Sequence, residues 1–337
     1  MMGAMQPEPP LGDRSYVIWV LDDPRTGTAA QAVGIAERLG VPFRRIPLAW
    51  NWKAHVAGLV PHGSLMGVSA ELGLEPGRGE APELVISAGR RSAPVALWLK
   101  SHYGCRLVHC MSPGLSGLLN RDAFDLLVIP THDNPHPAAN VMPVLGAPHR
   151  VSPLVLTQAE MAWRERLGHL PHPRVALMVG GKVRSAEGMP AAMAHQLGRD
   201  VALLAIGMGG SVMATTSRRT GAAAAEALAE GLGPAMHVLY HWGEPDENPY
   251  MGYLATADAI VVTADSVAMI SEACATEAPV YVACQELAGP RHHIMIESFV
   301  QAGQVRPFAQ TLSTWPRAPL DEAGRVADEI RRRFRLD

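Results

Sequence analysis

Short apolar runs recur along the chain, each closed by glycine, proline, serine or aspartate and followed by a helical pattern. Tyr16 to Leu21 is the first, and Asp22-Asp23-Pro24-Arg25-Thr26-Gly27 follows it. A helix with apolar Ala29, Val33 and Ala36 then ends at Gly40, a residue suited to a left-handed helix stop. Phe43 to Leu48, Leu84 to Ser87, Leu107 to Cys110 and Phe124 to Ile129 read as further strands, several of them apolar on both faces as buried parallel strands are. Pro94, after Ala88-Gly-Arg-Arg, falls in the first turn of a helix, where its missing N–H costs nothing.

Near Arg150 the pattern restarts. A helix over about Thr157 to Gly168 leads to a strand at Val175 to Val179. A helix over about Gly188 to Ile206, a strand over Ser211 to Thr216, an alanine-rich helix to Glu230 and a strand over Met236 to Tyr240 follow. The densest unit runs from Ala259 to Ala283: a strand to Thr263, a helix opening at Asp265-Ser266 and reaching about Thr276, and a strand from Pro279. Strands alternating with helices predict an α/β protein of two doubly wound, parallel-sheet, Rossmann-like domains facing across a cleft. The expected division is a flexible tail over 1–14, an N-terminal acceptor-side domain over 15–150, a C-terminal ligand-binding domain over 151–316, and a terminal helix over 317–337 packing back across them. Residues 50–79, rich in Gly and Pro, are expected to form a mobile flap.

Composition narrows the class. A length of 337 residues supports two cores, and 48% hydrophobic with 18% charged residues describes a globular chain. The net charge of −3 gives no basic field for nucleic acid. Cys105, Cys110, Cys274 and Cys284 lack C-x-x-C spacing and read as free thiols of a reducing compartment, so a cytoplasmic location is expected. The opening residues have no apolar core of a signal peptide, and no run is long enough to span a membrane. The last helix places Val326, Ile330 and Phe334 on one stripe among five arginines. It is expected to pack by that stripe, with peripheral contact to an anionic inner membrane face as the alternative.

The candidate chemistry gathers at the strand ends of the second half. Gly180-Gly181-Lys182, Ser217-Arg218-Arg219-Thr220 and Thr263-Ala264-Asp265-Ser266 should crowd one edge of one sheet. The glycines would admit close backbone approach to a ligand, and Arg218 or Arg219 could fork onto a diphosphate. Thr220 and Ser266 would cap helices whose N–H groups face the same spot. Asp265, Met269 and Glu272 share one helical face, placing Glu272 where a ribose diol could donate to it. Singly, a Gly-Gly is a turn and paired arginines are solvated; together they predict an anion site. No dinucleotide or P-loop glycine motif is present, so no nicotinamide cofactor or ATP hydrolysis is expected.

These residues carry a resemblance. Trp19-Val-Leu-Asp with Gly27 and Gln31, Ala88-Gly-Arg-Arg, Phe124-Asp with Pro130-Thr-His-Asp, Gly180-Gly, Thr216-Ser-Arg-Arg-Thr, Asn248-Pro-Tyr and Val262-Thr-Ala-Asp-Ser-Val-Ala-Met-Ile-Ser-Glu-Ala resemble the mitochondrial fission Elm family from about Val17 to Arg306. That family is similar to GT-B glycosyltransferases, including the enzyme that adds N-acetylglucosamine to the peptidoglycan lipid precursor. The resemblance implies a GT-B-like fold, Glu272 on a ribose, and Ser266 with its helix N-terminus on a diphosphate. One departure is Glu277-Ala278, where such sequences have glycine, which implies a different end to that helix.

GT-B-type transfer needs a base for the acceptor hydroxyl and electrostatic support for the leaving nucleoside diphosphate. The first-domain strand ends offer Asp22, Asp23, Arg90, Arg91, His132 and Asp133, of which His132 and Asp133 are the base candidates. On an extended chain neighbours point to opposite sides, so the two could not reach one proton. A metal site from His132, Asp133 and His136 has no further ligand cluster behind it. The reading is a metal-independent glycosyltransferase with no cofactor beyond its nucleotide-sugar substrate, acting on an envelope-related acceptor, lipid-linked or polysaccharide. The rivals are a nucleotide-sugar epimerase of the same fold, a non-catalytic adaptor of the fission-family type, and a nucleotide-binding regulator.

Overall fold

A computed structural model of the chain describes residues 16–57, 62–69, 81–181, 188–309 and 311–335. The tail expected over 1–14, Lys182, and residues 58–61 and 70–79 of the expected flap lie outside them. The chain divides into two compact units. One runs to Ile129 and includes His136–Met142 and Ala323 onward, and the other holds Pro130–Pro135 and Pro143–Glu322.

The first unit carries β1 (Ile18–Asp22), α1 (Thr26–Leu39), β2 (Phe43–Pro47), α2 (Ala54–Ala57), β3 (Leu84–Ala88), α3 (Ala93–Tyr103), β4 (Arg106–Cys110), α4 (Gly114–Leu119), β5 (Leu126–Pro130) and the first half of its edge strand β6 (Val141–Val144). The sheet order is β2-β1-β3-β4-β5-β6, and β1 pairs in parallel with both β2 and β3. Every residue of β3 and β5 is buried, as their continuous apolar runs require. Gly40 and Gly104 end α1 and α3 in left-handed conformations, each donating its N–H back to the last turn. Trp19, Leu99, Leu107 and Phe124 centre the core.

The second unit carries α5 (Pro153–Leu167), β7 (Arg174–Val179), α6 (Ala191–Gly207), β8 (Ser211–Thr216), α7 (Ala222–Leu232), β9 (His237–Tyr240), α8 (Tyr250–Thr256), β10 (Ala259–Thr263), α9 (Val267–Cys274), β11 (Val280–Ala283), α10 (Pro290–Gln301) and β12 (Arg306–Pro307). Its order is β12-β11-β10-β7-β8-β9, all neighbours parallel. From β7 the chain moves through α6 to β8 on one side. From β10 it moves through α9 to β11 on the other. The two loops therefore diverge between β7 and β10, and such a switch point opens a crevice at the carboxyl edge of a sheet.

The terminal helix α11 (Glu322–Phe334) has Ala323, Val326, Ala327 and Ile330 fully buried. Its arginines are occupied: Arg331 pairs with Asp328, and Arg332 and Arg333 with Glu329. The structure thus places the apolar stripe inside and leaves no free apolar face for the membrane contact expected as the alternative. The Glu277-Ala278 departure also has its counterpart. α9 ends at Ala275 in a right-handed conformation, and the Arg317 guanidinium donates to the carbonyls of Cys274, Thr276 and Ala278. A cation from outside the helix satisfies the carbonyls that a left-handed glycine turn would otherwise help to close.

Candidate functional site

At the switch point of the second unit the chain is knotted around one carboxylate. Asp265, just past β10, has a fully buried side chain. Gly181 N–H donates to its Oδ2 at 2.9 Å, the Thr263 hydroxyl donates to its Oδ1 at 2.7 Å, and Arg219 Nη2 lies 2.9 Å from Oδ2. Gly180 N–H in turn donates to Thr263 Oγ1 at 2.8 Å. Three strand ends, β7, β8 and β10, therefore meet on a single acid.

This arrangement assigns the expected residues different work. A Cβ on Gly180 would stand 2.3 Å from Asp265 Oδ2, and one on Gly181 would stand 1.9 Å from the Arg219 carbonyl oxygen. The close approach that demands glycine is between loops of the protein itself. Thr220 does not cap α7, whose N-cap is Gly221. Its hydroxyl instead lies 2.6 Å from the Gly180 carbonyl and accepts from Ser217 N–H, tying the β8 loop to the β7 loop. Ser217 Oγ accepts from Arg219 N–H, which sets the direction of that arginine. Arg219 is neutralised by Asp265, whereas Arg218 is exposed and has no partner among the described residues. Ser266 caps α9, its hydroxyl accepting from Met269 N–H.

Glu272, in the last turn of α9, is half-buried and accepts the Tyr250 hydroxyl at 2.6 Å. Burial raises its carboxyl to about 7, against a smaller downward pull from the tyrosine bond. Burial and the neighbouring carboxylate push the Tyr250 phenol well above its ordinary value. Tyr250 is the first residue of α8, and Asn248 Oδ1 accepts its N–H. The Asn-Pro-Tyr motif thus starts α8 in a way that lays a phenol over Glu272, a partnership that periodicity gave no sign of.

His132 and Asp133 lie in a single 3-10 turn, not on extended chain, so the opposite-sides argument does not apply to them. Even so, His132 Nε2 is 3.7 Å from Asp133 Oδ1, too far for a hydrogen bond. Arg291, in the first turn of α10, takes Asp133 through Nε and Nη2. His132 Nδ1 is buried without a partner. Burial holds the His132 pKa below its ordinary value, Arg291 and His292 lower it further, and Asp133 opposes them. The imidazole is therefore neutral near pH 7. His292 is lowered too, first by burial, with Asp265 opposing and Arg219 among the cations adding to it. Arg291 and His292 thus link the His132 turn electrostatically to the Asp265 knot. The proline and two histidines of Pro290-Arg-His-His were the only signal for them.

Arg90 and Arg91 follow β3 in the first unit, at its own switch point between β1 and β3; Arg90 is exposed and Arg91 half-buried. Asp23, just past β1, is buried and receives the Arg25 guanidinium and the Trp50 indole N–H. Among the described residues no three His, Cys, Asp or Glu side chains converge as metal ligands, and no helix is long and apolar enough to cross a membrane.

The family described as Mitochondrial fission ELM1 matches residues 26–334. The mitochondrial fission protein ELM1 of Arabidopsis thaliana is 31% identical over 280 residues, which are 75% of this chain and 64% of the plant protein. This chain thus spans less than two thirds of that relative. Among solved structures, the UDP-GlcNAc 2-epimerase of Neisseria meningitidis bound to UDP-GlcNAc superposes with a TM-score of 0.51 at 12% identity, covering 96% of this chain and all of that one. The Streptomyces sp. SF2575 glycosyltransferase SsfS6 in complex with thymidine diphosphate gives 0.42 at 13% identity, over 86% of this chain and 87% of that one. At 12% identity the likeness to the epimerase is one of fold, two parallel sheets in a GT-B-like α/β arrangement.

Proposed function

The chain belongs to the mitochondrial fission ELM1 family, and from that premise we propose that its second unit binds a nucleoside diphosphate sugar and that the protein transfers the sugar to an envelope-related acceptor. The observation that carries this reading is the switch point itself: three strand ends drawn together on Asp265, with Arg218 exposed and unpaired among the described residues and the capped N-terminus of α9 beside them. Arg218 supplies the charge for the diphosphate, and Ser266 with the first N–H groups of α9 completes its cradle. Glu272 exchanges the Tyr250 hydroxyl for a ribose hydroxyl. His132, neutral and with an unpartnered ring nitrogen, takes the acceptor proton as the nucleoside diphosphate leaves. Asp133 and Asp265 are both held in ion pairs, so this reading gives the base role to His132 and not to either aspartate.

One observation favours the adaptor reading: Arg219, the second arginine of the motif, is already neutralised by Asp265. Thermal unfolding with UDP-, GDP-, ADP- and CMP-sugars separates the two. A donor at a hundredfold excess over its Kd should stabilise the protein by about 2.7 kcal/mol. Arg218→Ala should weaken that donor roughly tenfold, about 1.4 kcal/mol, and His132→Ala should keep binding while losing turnover. No shift with any donor would leave the adaptor reading standing.

A further inference from the structure

Between α5 and α8 of the second unit lies an open cleft of about 370 Å³ that the proposed donor site does not use. Helical spacing sets two of its walls. Trp163 and Arg166 stand three apart on α5, and Pro249 and Tyr253 stand four apart at the start of α8, so each pair shares one face. The backbone of α8 seats the indole, since a Cβ on Gly252 would stand 2.3 Å from Trp163 Cγ. Tyr240, the last residue of β9, forms a third wall. Its hydroxyl lies 3.2 and 3.4 Å from the carbonyls of Glu244 and Asp246, which curls the loop back and brings Asp246 and Glu247 to the cleft.

Two features mark the cleft as a site. Tyr253 lines it and is only 3% exposed, yet its hydroxyl has no hydrogen-bond partner among the described residues. Burial, and after it the Glu244 carboxylate, hold that phenol well above its ordinary value, so it stays a neutral hydroxyl. Such a group both donates and accepts. The second feature is charge. Asp246 is exposed and has no partner among the described residues, and Glu247 pairs with Arg166 at 2.8 Å. Two acids thus meet one arginine, with Glu244 near enough to act on Tyr253, and the balance attracts a cation and repels an anion.

A cation of the chain itself already sits there. The Arg166 guanidinium lies 4.7 Å from the centroid of the Trp163 ring while it pairs with Glu247. An aromatic face and a carboxylate together hold positive charge, the chemistry that cages ammonium groups. The two side chains are 56% and 62% exposed, and an ion pair so open to water is weak and readily exchanged. A neutral ring that would lie flat on the indole finds it packed by Gly252 and covered by the guanidinium.

We infer that the cleft between α5 and α8 binds a small organic cation, an amine or guanidine on a short aliphatic stem, which takes the place of Arg166 against Trp163 and Glu247. Asp246 balances its charge, the Tyr253 hydroxyl accepts from its N–H groups, and the stem lies along Leu239 and Pro249. The inference does not depend on the donor-binding proposal.

Isothermal titration calorimetry of the full chain at low ionic strength tests it, with butylamine and agmatine as probes and 1-butanol and butyrate as controls of matched stem. Each amine should bind one to one, and neither control should give saturable heat. An Asp246→Asn/Glu247→Gln variant should keep its melting temperature and bind both amines on the order of tenfold more weakly. Arg166→Gln should bind them roughly threefold to thirtyfold more tightly, because it frees the indole face and Glu247 for the guest. Arg218→Ala, at the proposed donor site, should bind them as the parent does. The inference is overturned if neither amine binds, if butyrate binds as well as butylamine, or if the double variant matches the parent. It is also overturned if Arg166→Gln weakens the amines or leaves them unchanged, or if Arg218→Ala alters them.

Discussion

Asp265 and Glu272 sit seven residues apart and are held by different partners. Asp265 is buried with two hydrogen-bond donors and a guanidinium around it. Glu272 is half-buried with one phenol on it, and desolvation raises its carboxyl to about 7. Between its ordinary value of 4.5 and about 7 the folded chain holds a proton that the unfolded chain has lost. Stability from this group is therefore complete below about pH 4.5, falls as pH rises through the window, and is flat above it, by roughly 3 kcal/mol at most. Glu272→Gln should abolish that slope and unfold at higher urea than the parent at pH 8. Urea midpoints at pH 5 and pH 8 measure it, and an unchanged slope in the variant would refute the assignment. An acid kept at such a cost suits a binding role, because a ligand hydroxyl can replace the tyrosine there.

Among the elements, α9 shows how a helix end can be completed from a distance. Its start is local: Ser266 caps it, as the Asp-Ser pair foretells. Its end lacks the glycine turn, and Arg317, far along the chain, supplies donors to three carbonyls. Burial lowers the Arg317 pKa, yet an arginine keeps its charge throughout the ordinary pH range. Arg317→Met should cost on the order of 2–4 kcal/mol, since it strands those carbonyls. Arg317→Lys should recover only part, because a single ammonium cannot span the planar fork's reach. Equal midpoints for the parent and Arg317→Met in chemical denaturation would show that the fork contributes nothing to stability.

At the scale of the whole molecule, the division into two units predicts where a ligand is felt. A nucleotide sugar held at the second switch point should slow amide exchange at 180–181, 217–221 and 264–267. It should leave 89–92, at the first unit's switch point, unchanged unless an acceptor is also present. Hydrogen exchange with and without the donor reads this directly. Protection confined to the first unit would move the binding site there. The family relation constrains the fold more tightly than the reaction, because loops at strand ends set chemistry while the sheets beneath them persist.

The chain's own pattern determined the alternation of strands and helices, the stops at Gly40 and Gly104, the entry of Pro94 into α3 and the cap at Ser266. Each depends on residues within a turn or two, where periodicity and backbone preference act directly. It also placed Gly180, Arg218, Asp265 and Glu272 at strand ends or on the following helix. Which of them pair was settled only in three dimensions. Gly181 reaches Asp265 across 84 residues and Arg291 reaches Asp133 across 158. Such pairings follow from strand order and from how far each side chain can reach once the sheet has formed. Tertiary packing alone chose Arg219 over Arg218 for the buried acid and laid Tyr250 over Glu272.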